Sequence, residues 1–161
     1  MDNEQKLNSG RKMSLRSMQP GYLKIESKGI NMPFMLNPSE IKLERSFNFN
    51  QLPLIGENQP AFNFVNDNAA TLSFKLAFDQ DINAEYDLGQ TQGFMETMAS
   101  VDPASKSVPD VVFGMGNLKF QGYVTSYVFE PKRFNNNGEI VGLELAITMV
   151  SSAEKDFEWR V

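Results

Sequence analysis

Three side chains in the middle of the chain have the spacing of a calcium-binding loop. Asp79, Asp81 and Asn83 match its first, third and fifth ligand positions. The sixth position needs glycine for a sharp turn but is Ala84, and the twelfth needs a bidentate glutamate but is Gln90. The sequence therefore predicts a solvated acidic loop here, and no residue is assigned to a metal.

Gly114 and Gly116 have the spacing of the first two glycines of a dinucleotide-binding loop. No third glycine follows, and residues 118–122 alternate as a strand, whereas a phosphate site needs the N-terminus of a helix at this point. The glycines are therefore predicted to shape a tight turn between strands. Glu130 and Glu139 flank a later turn and are interpreted as surface charges, so no cofactor and no catalytic residue is assigned.

The composition removes most of the remaining catalytic chemistry. The 161 residues include no cysteine and no histidine, which excludes disulfides, thiolate nucleophiles, thiolate metal sites and the usual general base. With 15 Lys and Arg against 20 Asp and Glu, the net charge is -5, and this argues against nucleic acid as a main partner. The counts predict a globular domain that is not an enzyme.

The charge is divided unevenly along the chain. Residues 1–19 carry a net +2, which leaves 11 cations and 18 anions, or -7, on the rest. Such a segment is either a disordered terminus or an arm that orders against an acidic neighbour. It has no continuous apolar stretch, so we expect no secretory signal, synthesis in the cytoplasm and no membrane helix. The four cations of the segment are Lys6, Arg11, Lys12 and Arg16.

Period-two alternation of apolar and polar residues predicts a mainly β chain. It is clearest in 41–49 and 71–78, where leucine, isoleucine and phenylalanine alternate with mainly polar residues. Asn137-Gly138 is a strong hairpin signal between the last two predicted strands. The other strands are predicted at 22–29, 61–65, 111–115, 118–130 and 140–150.

One helix is predicted at 93–101, starting a few residues earlier, because Phe94, Met98 and Val101 recur at helical spacing. Gly122 within a predicted strand indicates a bend or bulge. The 13 phenylalanines lie mostly at alternating strand positions, so their default role is the core. Any phenylalanine that points outward would mark an interface.

Together these elements predict an antiparallel β-barrel or sandwich of about seven strands with one flanking α-helix. Residues 1–19 are then a flexible N-terminal arm, 20–152 a single barrel domain and 153–161 a C-terminal tail. Phe157 and Trp159 in the tail are predicted aromatic anchors for neighbouring subunits. The predicted contacts from the arm are Arg11, Lys12 and Arg16.

Three motifs follow one another within residues 34–150. The first reads F-x-L-N-P-S-E at 34–40, the second T-L-x-F-x-L-x-F-D at 71–79, and the third V-V-F-G-M-G at 111–116. Their main residues are Phe34, Asn37, Pro38, Glu40, Thr71, Leu72, Phe78, Asp79, Phe113 and Gly116. The order and spacing of these motifs resemble the tube-like baseplate family of contractile injection systems, through the N-terminal domain of members that carry a LysM module.

The sequence departs from the pattern of that family in three places. Met115 stands where a tryptophan is common, and Ile140 and Gly142 stand where the return strand of the hairpin has proline and arginine. The chain ends at Val161, so we expect no LysM module in it. A docking role of that module is therefore not carried over.

The resemblance implies a fold like the inner-tube proteins, assembled as a six-membered ring at the baseplate hub. Such a ring would join the trimeric spike to the first layer of the hollow tube. The resemblance also implies a particle that can be released from the cell. The implied partners are further copies of the chain, the spike protein, the inner-tube or tube-initiator protein and other baseplate subunits. Nucleic acid, membrane and cofactors are not among them.

Three functions are compatible with these observations. The first is a structural adaptor or tube initiator at the baseplate hub. The second is the main inner-tube protein, which would form many stacked rings. The third is a tail-associated hydrolase that uses carboxylates, for which the sequence offers no obvious acid pair.

Overall fold

The computed structural model describes residues 19–82, 84, 86–152 and, for the backbone alone, 157–159. The described part contains one α-helix, α1 (Leu88–Met98), and one 3-10 turn at Glu26–Lys28. Its strands are β1 (Tyr22–Ile25), β2 (Ile30–Pro33), β3 (Ile41–Glu44), β4 (Phe47–Leu52), β5 (Ala61–Asp67), β6 (Thr71–Asp79), β7 (Val111–Met115), β8 (Leu118–Phe134), β9 (Ile140–Ser151) and β10 (Phe157–Trp159).

Most of the strands form one antiparallel sheet. Its order is β2-β1-β7-β8-β9-β6-β3, and β10 pairs with β8 beyond the end of β9. β4 and β5 pair with each other as a separate two-stranded sheet. Among the described residues, β2 and β3 at the two ends of the order do not pair, so the main sheet is open and sandwich-like. The predicted mainly β fold with one helix is confirmed in its sandwich form.

The core lies inside the folded sheet. β6 and β7 are separated by two strands in the sheet order, yet the ring centroids of Phe74 and Phe113 are 4.7 Å apart. Because neighbouring strands are about 4.8 Å apart, this contact requires the sheet to fold over on itself. Phe34 packs against both rings, at 6.2 and 5.8 Å, and α1 buries Phe94 and Met98.

Burial along β6 confirms the clearest strand prediction. Every second side chain of β6 is buried, and the residues between them are more exposed. Leu76 faces Leu145 on β9, which is also buried, so the two strands present one continuous apolar face. Period-two burial follows because only one face of this sheet packs on the core. The buried residues of β6 are Leu72, Phe74, Leu76 and Phe78.

The helix ends earlier than the predicted range 93–101. α1 spans Leu88–Met98, and Val101 is exposed beyond its end. The Asp87 carboxylate accepts a hydrogen bond from the Gly89 amide at 2.8 Å, which caps the N-terminus of the helix. No described helix has the length and hydrophobicity to cross a membrane.

Tight turns connect the strands where glycine or asparagine predicted them. Gly116, at φ 58°, joins β7 to β8 through a two-residue turn, as predicted. Asn137-Gly138 lies in the loop of the predicted β8–β9 hairpin, which is also confirmed. The predicted strand 22–29 is confirmed only as far as Ile25, because the 3-10 turn Glu26–Lys28 follows. Gly29, at φ 65°, ends this turn, so that β2 folds back beside β1.

Gly122 lies where β8 changes its partner. Residues before it pair with β7, those after it pair with β9, and Gly122 itself also faces Ser151. A Cβ atom on Gly122 would lie 2.1 Å from the carbonyl oxygen of Val150, so no side chain fits unless the backbones separate. The bend or bulge predicted here is confirmed by the shift of register after Val124.

Replacing Gly122 by alanine is expected to lower the free energy of unfolding by about 1–3 kcal/mol, because the added methyl group forces backbone movement. Gly93 in α1 is a matched control, since nothing lies within 4 Å of an added Cβ there. Gly93→Ala is expected to raise stability by roughly 0.5–1 kcal/mol through helix propensity. Urea unfolding checks both values, and two changes of the same sign would contradict this account.

Hydrogen bonds of Tyr86 connect α1 to the end of β2. Its hydroxyl donates to the carbonyl oxygen of Pro33 at 2.9 Å and accepts from the Thr91 hydroxyl at 3.3 Å. Burial raises the pKa of Tyr86, and the hydrogen bond from Thr91 opposes this shift. The neutral phenol therefore contributes stability below the pKa of an unfolded tyrosine, and this contribution is lost as the pH rises through the raised pKa.

Tyr86→Phe is expected to lower the free energy of unfolding near neutral pH by about 0.5–1.5 kcal/mol, the range for one lost hydrogen bond. The difference from the wild type is expected to shrink above a pH of about 10, because there the unfolded wild-type phenol ionises. Urea unfolding across this pH range is the measurement, with the more exposed Tyr123→Phe as the control. A difference that stays constant with pH would contradict the role of the buried phenol.

Candidate assembly surface

The chain leaves the main sheet after β3 and forms a separate hairpin, β4–β5. The predicted single strand over 41–49 is therefore wrong, because it breaks at Arg45 and Ser46. Arg45 pairs with Asp67 at 2.9 Å. The backbone and side-chain amides of Asn68 donate to the carbonyl and hydroxyl oxygens of Ser46 at 2.9 and 2.8 Å. These contacts close the base of the hairpin and separate it from the sheet.

One face of the hairpin carries four phenylalanine rings. Phe49 and Phe64 lie opposite each other, with centroids 5.7 Å apart and an interplanar angle of 72°, and Phe47 lies 6.4 Å from Phe64. Phe62 is two residues from Phe64 on the same strand and so lies on the same face. We name this set the phenylalanine ridge. The exposed fractions are 51% for Phe47, 54% for Phe49, 64% for Phe62 and 53% for Phe64.

The opposite face of the hairpin is uncharged, with facing asparagines along most of its length and the Leu52–Ala61 pair next to the loop. The Asn48 amide donates to the side-chain oxygen of Asn66 at 2.9 Å, and Asn50 faces Asn63 across the two strands. Between its base contacts, the hairpin holds a single charged residue, Glu57, in the connecting loop. The hairpin therefore offers a partner an uncharged apolar face.

An exposed aromatic face of this kind indicates an interface. A two-stranded hairpin is at best marginally stable alone in water, and apolar patches of a few hundred Å² usually mark binding surfaces. The default assignment of phenylalanines to the core is wrong for the ridge, because Phe47 and Phe49 are about half exposed and no layer of the described residues covers them. The sequence signal for this exception was the absence of charge from residues 47–50 and 61–66, on the two sides of the loop 51–60.

Besides β2, which pairs with β1 alone in the described part, two strands on opposite sides of the main sheet have an open edge. β8 pairs with β7 only as far as Gly122, so within the described ranges residues 123–134 are paired on the β9 side alone. β3, at the other side, pairs with β6 alone in the described part. Open edges present backbone amides and carbonyls that are able to pair with another chain.

The outward face of the sheet is charged near the open edge of β8. Lys132 lies 2.9 Å from Glu130 and 3.5 Å from Glu144. The hydrogen bond from Lys132 lowers the pKa of Glu130, and the same contact raises the pKa of Lys132. These side chains are solvent exposed, so the pairs contribute little to stability. They make this face a hydrated polar surface.

The acidic loop after β6 is bridged by an arginine. Arg133 lies 3.1 Å from Asp79 Oδ1 and also pairs with Asp81, so the guanidinium group joins the first two carboxylates of the calcium pattern. The hydrogen bond with Asp81 is the main cause that raises the pKa of Arg133. Asn83 lies outside the described residues. Among the residues that the structure describes, no group of three or more acidic side chains could hold a metal ion.

The residues of the three sequence motifs mainly build the fold. The Asn37 side-chain oxygen accepts a hydrogen bond from the Gly21 amide at 2.7 Å, which fixes the chain just before β1. The motif residues therefore describe the scaffold, and they lie outside the phenylalanine ridge. The buried ones are Phe34, Pro38, Leu72, Phe78 and Phe113. The partly or fully exposed ones are Glu40, Thr71, Asp79 and Gly116.

The predicted contact residues belong to the two termini. Arg11, Lys12 and Arg16 lie outside the described residues. Phe157 and Trp159 belong to β10, whose backbone pairs antiparallel with the start of β8. The backbone of 157–159 therefore extends the main sheet, and the role of these two residues as aromatic anchors stays a prediction.

Two solved structures and one family model are similar to this chain. One similar structure is a chain in the tail of an empty gene transfer agent particle, computed with helical refinement and C6 symmetry. Its sequence identity with this chain is 12% and the TM-score is 0.47. The match covers 89% of this chain and 96% of that chain. A chain in the virion of a native gene transfer agent particle shares 11% identity, with coverages of 88% and 96% and a TM-score of 0.44. No curated protein matches. A family model described as contractile injection system tube protein matches residues 10–159, so the chain belongs to the contractile injection system tube protein family.

Proposed function

We infer that the chain is a ring-forming subunit at the baseplate hub of a contractile particle, where it joins the spike to the inner tube. Membership in the tube protein family supports a structural role. The observation that carries the ring is the pair of open strand edges on opposite sides of the main sheet, β8 at 123–134 and β3. Each copy would pair one edge with the other edge of its neighbour.

The strand directions fit continuous pairing between neighbours. From edge to edge the sheet runs β8, β9, β6 and β3, and each adjacent pair is antiparallel. Because the number of strands is even, β3 of one copy runs antiparallel to β8 of a next copy in the same orientation. Head-to-tail contacts of this kind generate a ring when the rotation closes. The proposed ring has six copies, as the family resemblance implies.

The charged outward face would line the channel of such a ring. Lys75 on β6 lies on the face opposite Leu76, and Glu130, Lys132 and Glu144 share that face. Large barrels leave an aqueous channel, and a wall with these side chains stays hydrated. The opposite face carries the core and α1. This division into a polar and an apolar face supports a channel-lining sheet.

Purified protein examined by electron microscopy tests the ring. Six-fold rings, alone or after addition of the spike and inner-tube proteins, are the expected result. Monomers under both conditions would contradict the proposal. Because ring closure is cooperative over several weak contacts, the mixture with the partners is the decisive sample.

The adaptor role assigns contacts to the termini. In this proposal the cytoplasmically made subunit uses Arg11, Lys12, Arg16, Phe157 and Trp159 to contact the spike, the tube and other baseplate subunits. Deletion of residues 1–19 is the test, because it leaves the described sheet intact. Rings that no longer join spike to tube are expected, and particles with a normal junction would overturn the role of the arm.

The main inner-tube protein is the second candidate. It is favoured by a specific observation, the placement of apolar surfaces at both ends of the sheet. The phenylalanine ridge lies at one end, and an apolar groove between α1, β8 and β9, lined by Met95, Phe129 and Leu143, lies toward the other. Quantitative mass spectrometry of purified particles separates the two functions. One ring of copies in each particle supports the adaptor, and many rings support the tube.

A further inference from the structure

Two mainly apolar cavities lie side by side where the described part of the chain begins. The first, of about 500 Å³, is lined by Pro20 and by Leu36, which is 39% exposed. The second, of about 640 Å³, lies between β2 and α1 and includes Met32 in its lining. Pro33 and Tyr86 line both cavities, so the two adjoin. We name them together the β2–α1 cleft.

Hydrogen bonds hold the first described residues against this cleft. The Gly21 amide donates to the Asn37 side-chain oxygen at 2.7 Å, and the Asn37 side-chain amide donates to the Gln19 carbonyl oxygen at 3.5 Å. The Phe34 amide donates to the carbonyl oxygen of Gly21 at 2.8 Å. Pro20, between these residues, belongs to the lining of the first cavity. The segment 1–18 therefore joins the described structure directly beside the cleft.

The end of this segment carries apolar side chains that suit the cleft. Met18, Leu15 and Met13 lie one, four and six residues before Gln19. Methionine is unbranched and flexible, so it fills irregular cavities well. The tube protein family model matches from residue 10 onward, so the matched sequence includes all three residues. These residues are therefore candidates to fill the two cavities.

The cleft matches the segment in charge and in length. Asp87 is the single charged residue in the lining of either cavity, whereas the segment 1–18 carries a net +2. The four residues of β2 span about 14 Å, and residues 13–18 reach up to about 20 Å when extended. Because the segment is tethered beside the cleft, its local concentration there is roughly millimolar, which favours it over a separate partner.

From these observations we propose that residues 13–18 bind the β2–α1 cleft of the same copy, with Met18 in the first cavity and Leu15 in the second. The bound side chains would shield the apolar lining of the cleft from water. Arg11 and Lys12 precede the bound residues, so they remain available to the spike or the tube in the function proposed above. The inference concerns a single chain and does not depend on ring formation.

Limited digestion with trypsin tests the binding in the full chain. Arg16 lies within the proposed bound segment, and Lys12 lies just before it. Cleavage after Arg16 is expected to be at least about tenfold slower than after Lys12, because proteolysis follows the population of the open form. In the variant Leu15→Ser/Met18→Ser the difference is expected to disappear. Equal rates at the two sites of the wild type would overturn the proposal, and so would a difference that the variant retains.

Cross-linking identifies the occupied site, since the chain has no native cysteine. Ser14→Cys/Gln90→Cys places one thiol in the segment and one in the lining of the second cavity. The control Ser14→Cys/Gln92→Cys moves the helix thiol to the groove on the other side of α1. An unbound segment would reach both positions about equally. A short bis-maleimide at low protein concentration is expected to join the first pair within one chain at least about tenfold faster than the second.

Mass spectrometry and denaturing gels distinguish the results. Faster linking to position 90 within monomers supports the proposal. Equal reaction of the two pairs, or no reaction of either, would overturn the cleft as the binding site, even if Arg16 is protected from trypsin. Covalent dimers in place of internal links would show that the segment binds another copy, and that result also overturns the proposal. Monomers that form no ring but keep the preference would count against the proposed ring alone, so the two proposals fail separately.

Discussion

Phe113→Ala is expected to lower the free energy of unfolding by about 3–5 kcal/mol, the range for removal of a buried phenylalanine ring. Phe113 is fully buried, and its ring lies 4.7 Å from that of Phe74 and 5.8 Å from that of Phe34. These contacts join the two layers of the folded sheet. The cavity left by alanine would lie between the layers, where rigid strands on both sides limit collapse.

The same substitution on the ridge is the matched control. Phe62 is 64% exposed, so Phe62→Ala is expected to change the free energy of unfolding of the monomer by less than about 0.5 kcal/mol. Urea unfolding at low protein concentration measures both variants. Equal losses for Phe62 and Phe113 would show that the ridge is covered within the monomer, and would contradict its assignment as an exposed surface.

Alternation of side chains was sufficient to predict most of the main sheet. In β6, the buried and exposed residues follow the sequence pattern from Leu72 to Phe78. The β8–β9 hairpin was predictable because Asn137-Gly138 fixes a turn between two long alternating segments. In both cases the information is local, since one face of each strand must meet the core.

The same rule gave the wrong result for 41–49. Alternation shows that a strand has an apolar face, but it does not show whether another layer covers that face. Phe47 and Phe49 alternate as regularly as Phe74 and Phe78. Contacts of Ser46 and Arg45 with Asn68 and Asp67 close the base of the hairpin where their strand leaves the sheet. These contacts join residues more than 20 positions apart. Alternation within a single strand does not reveal them.

The groove and the open edges also could not be predicted from the sequence. The groove combines residues of α1 with residues of β8 and β9. The edge of β8 is open after Gly122 because Val111, which faces Gly122, is the first residue of β7. Both features depend on where one element ends relative to another in space. The family resemblance predicted the scaffold residues, such as Phe113 and Asn37, and these do not contribute to either surface.

Removal of two ridge rings tests the second candidate function, the inner-tube protein with stacked rings. Under that function the change is expected to abolish stacking while leaving the fold intact. In the variant Phe49→Thr/Phe64→Thr, each ring withdraws about 100 Å² of exposed apolar area, so at about 25 cal/mol per Å² the contact loses up to about 5 kcal/mol. This corresponds to a decrease of up to about 4,000-fold in the association constant of each contact. Threonine keeps the β propensity of the strands, and a Thr–Thr pair is favourable across an antiparallel ladder.

The control for this variant places the same residue type on the other face of the same hairpin. Asn50 and Asn63 face each other as Phe49 and Phe64 do, so Asn50→Thr/Asn63→Thr changes the polar face alone. Sedimentation and electron microscopy are expected to show stacked assemblies for the control and none for the ridge variant, with equal urea midpoints for the monomers. Stacks of the ridge variant at wild-type length would contradict the docking of the ridge. Loss of stacking in both variants would instead show that the hairpin does not act through its aromatic rings alone, since the introduction of two threonines is the only change that the two variants share.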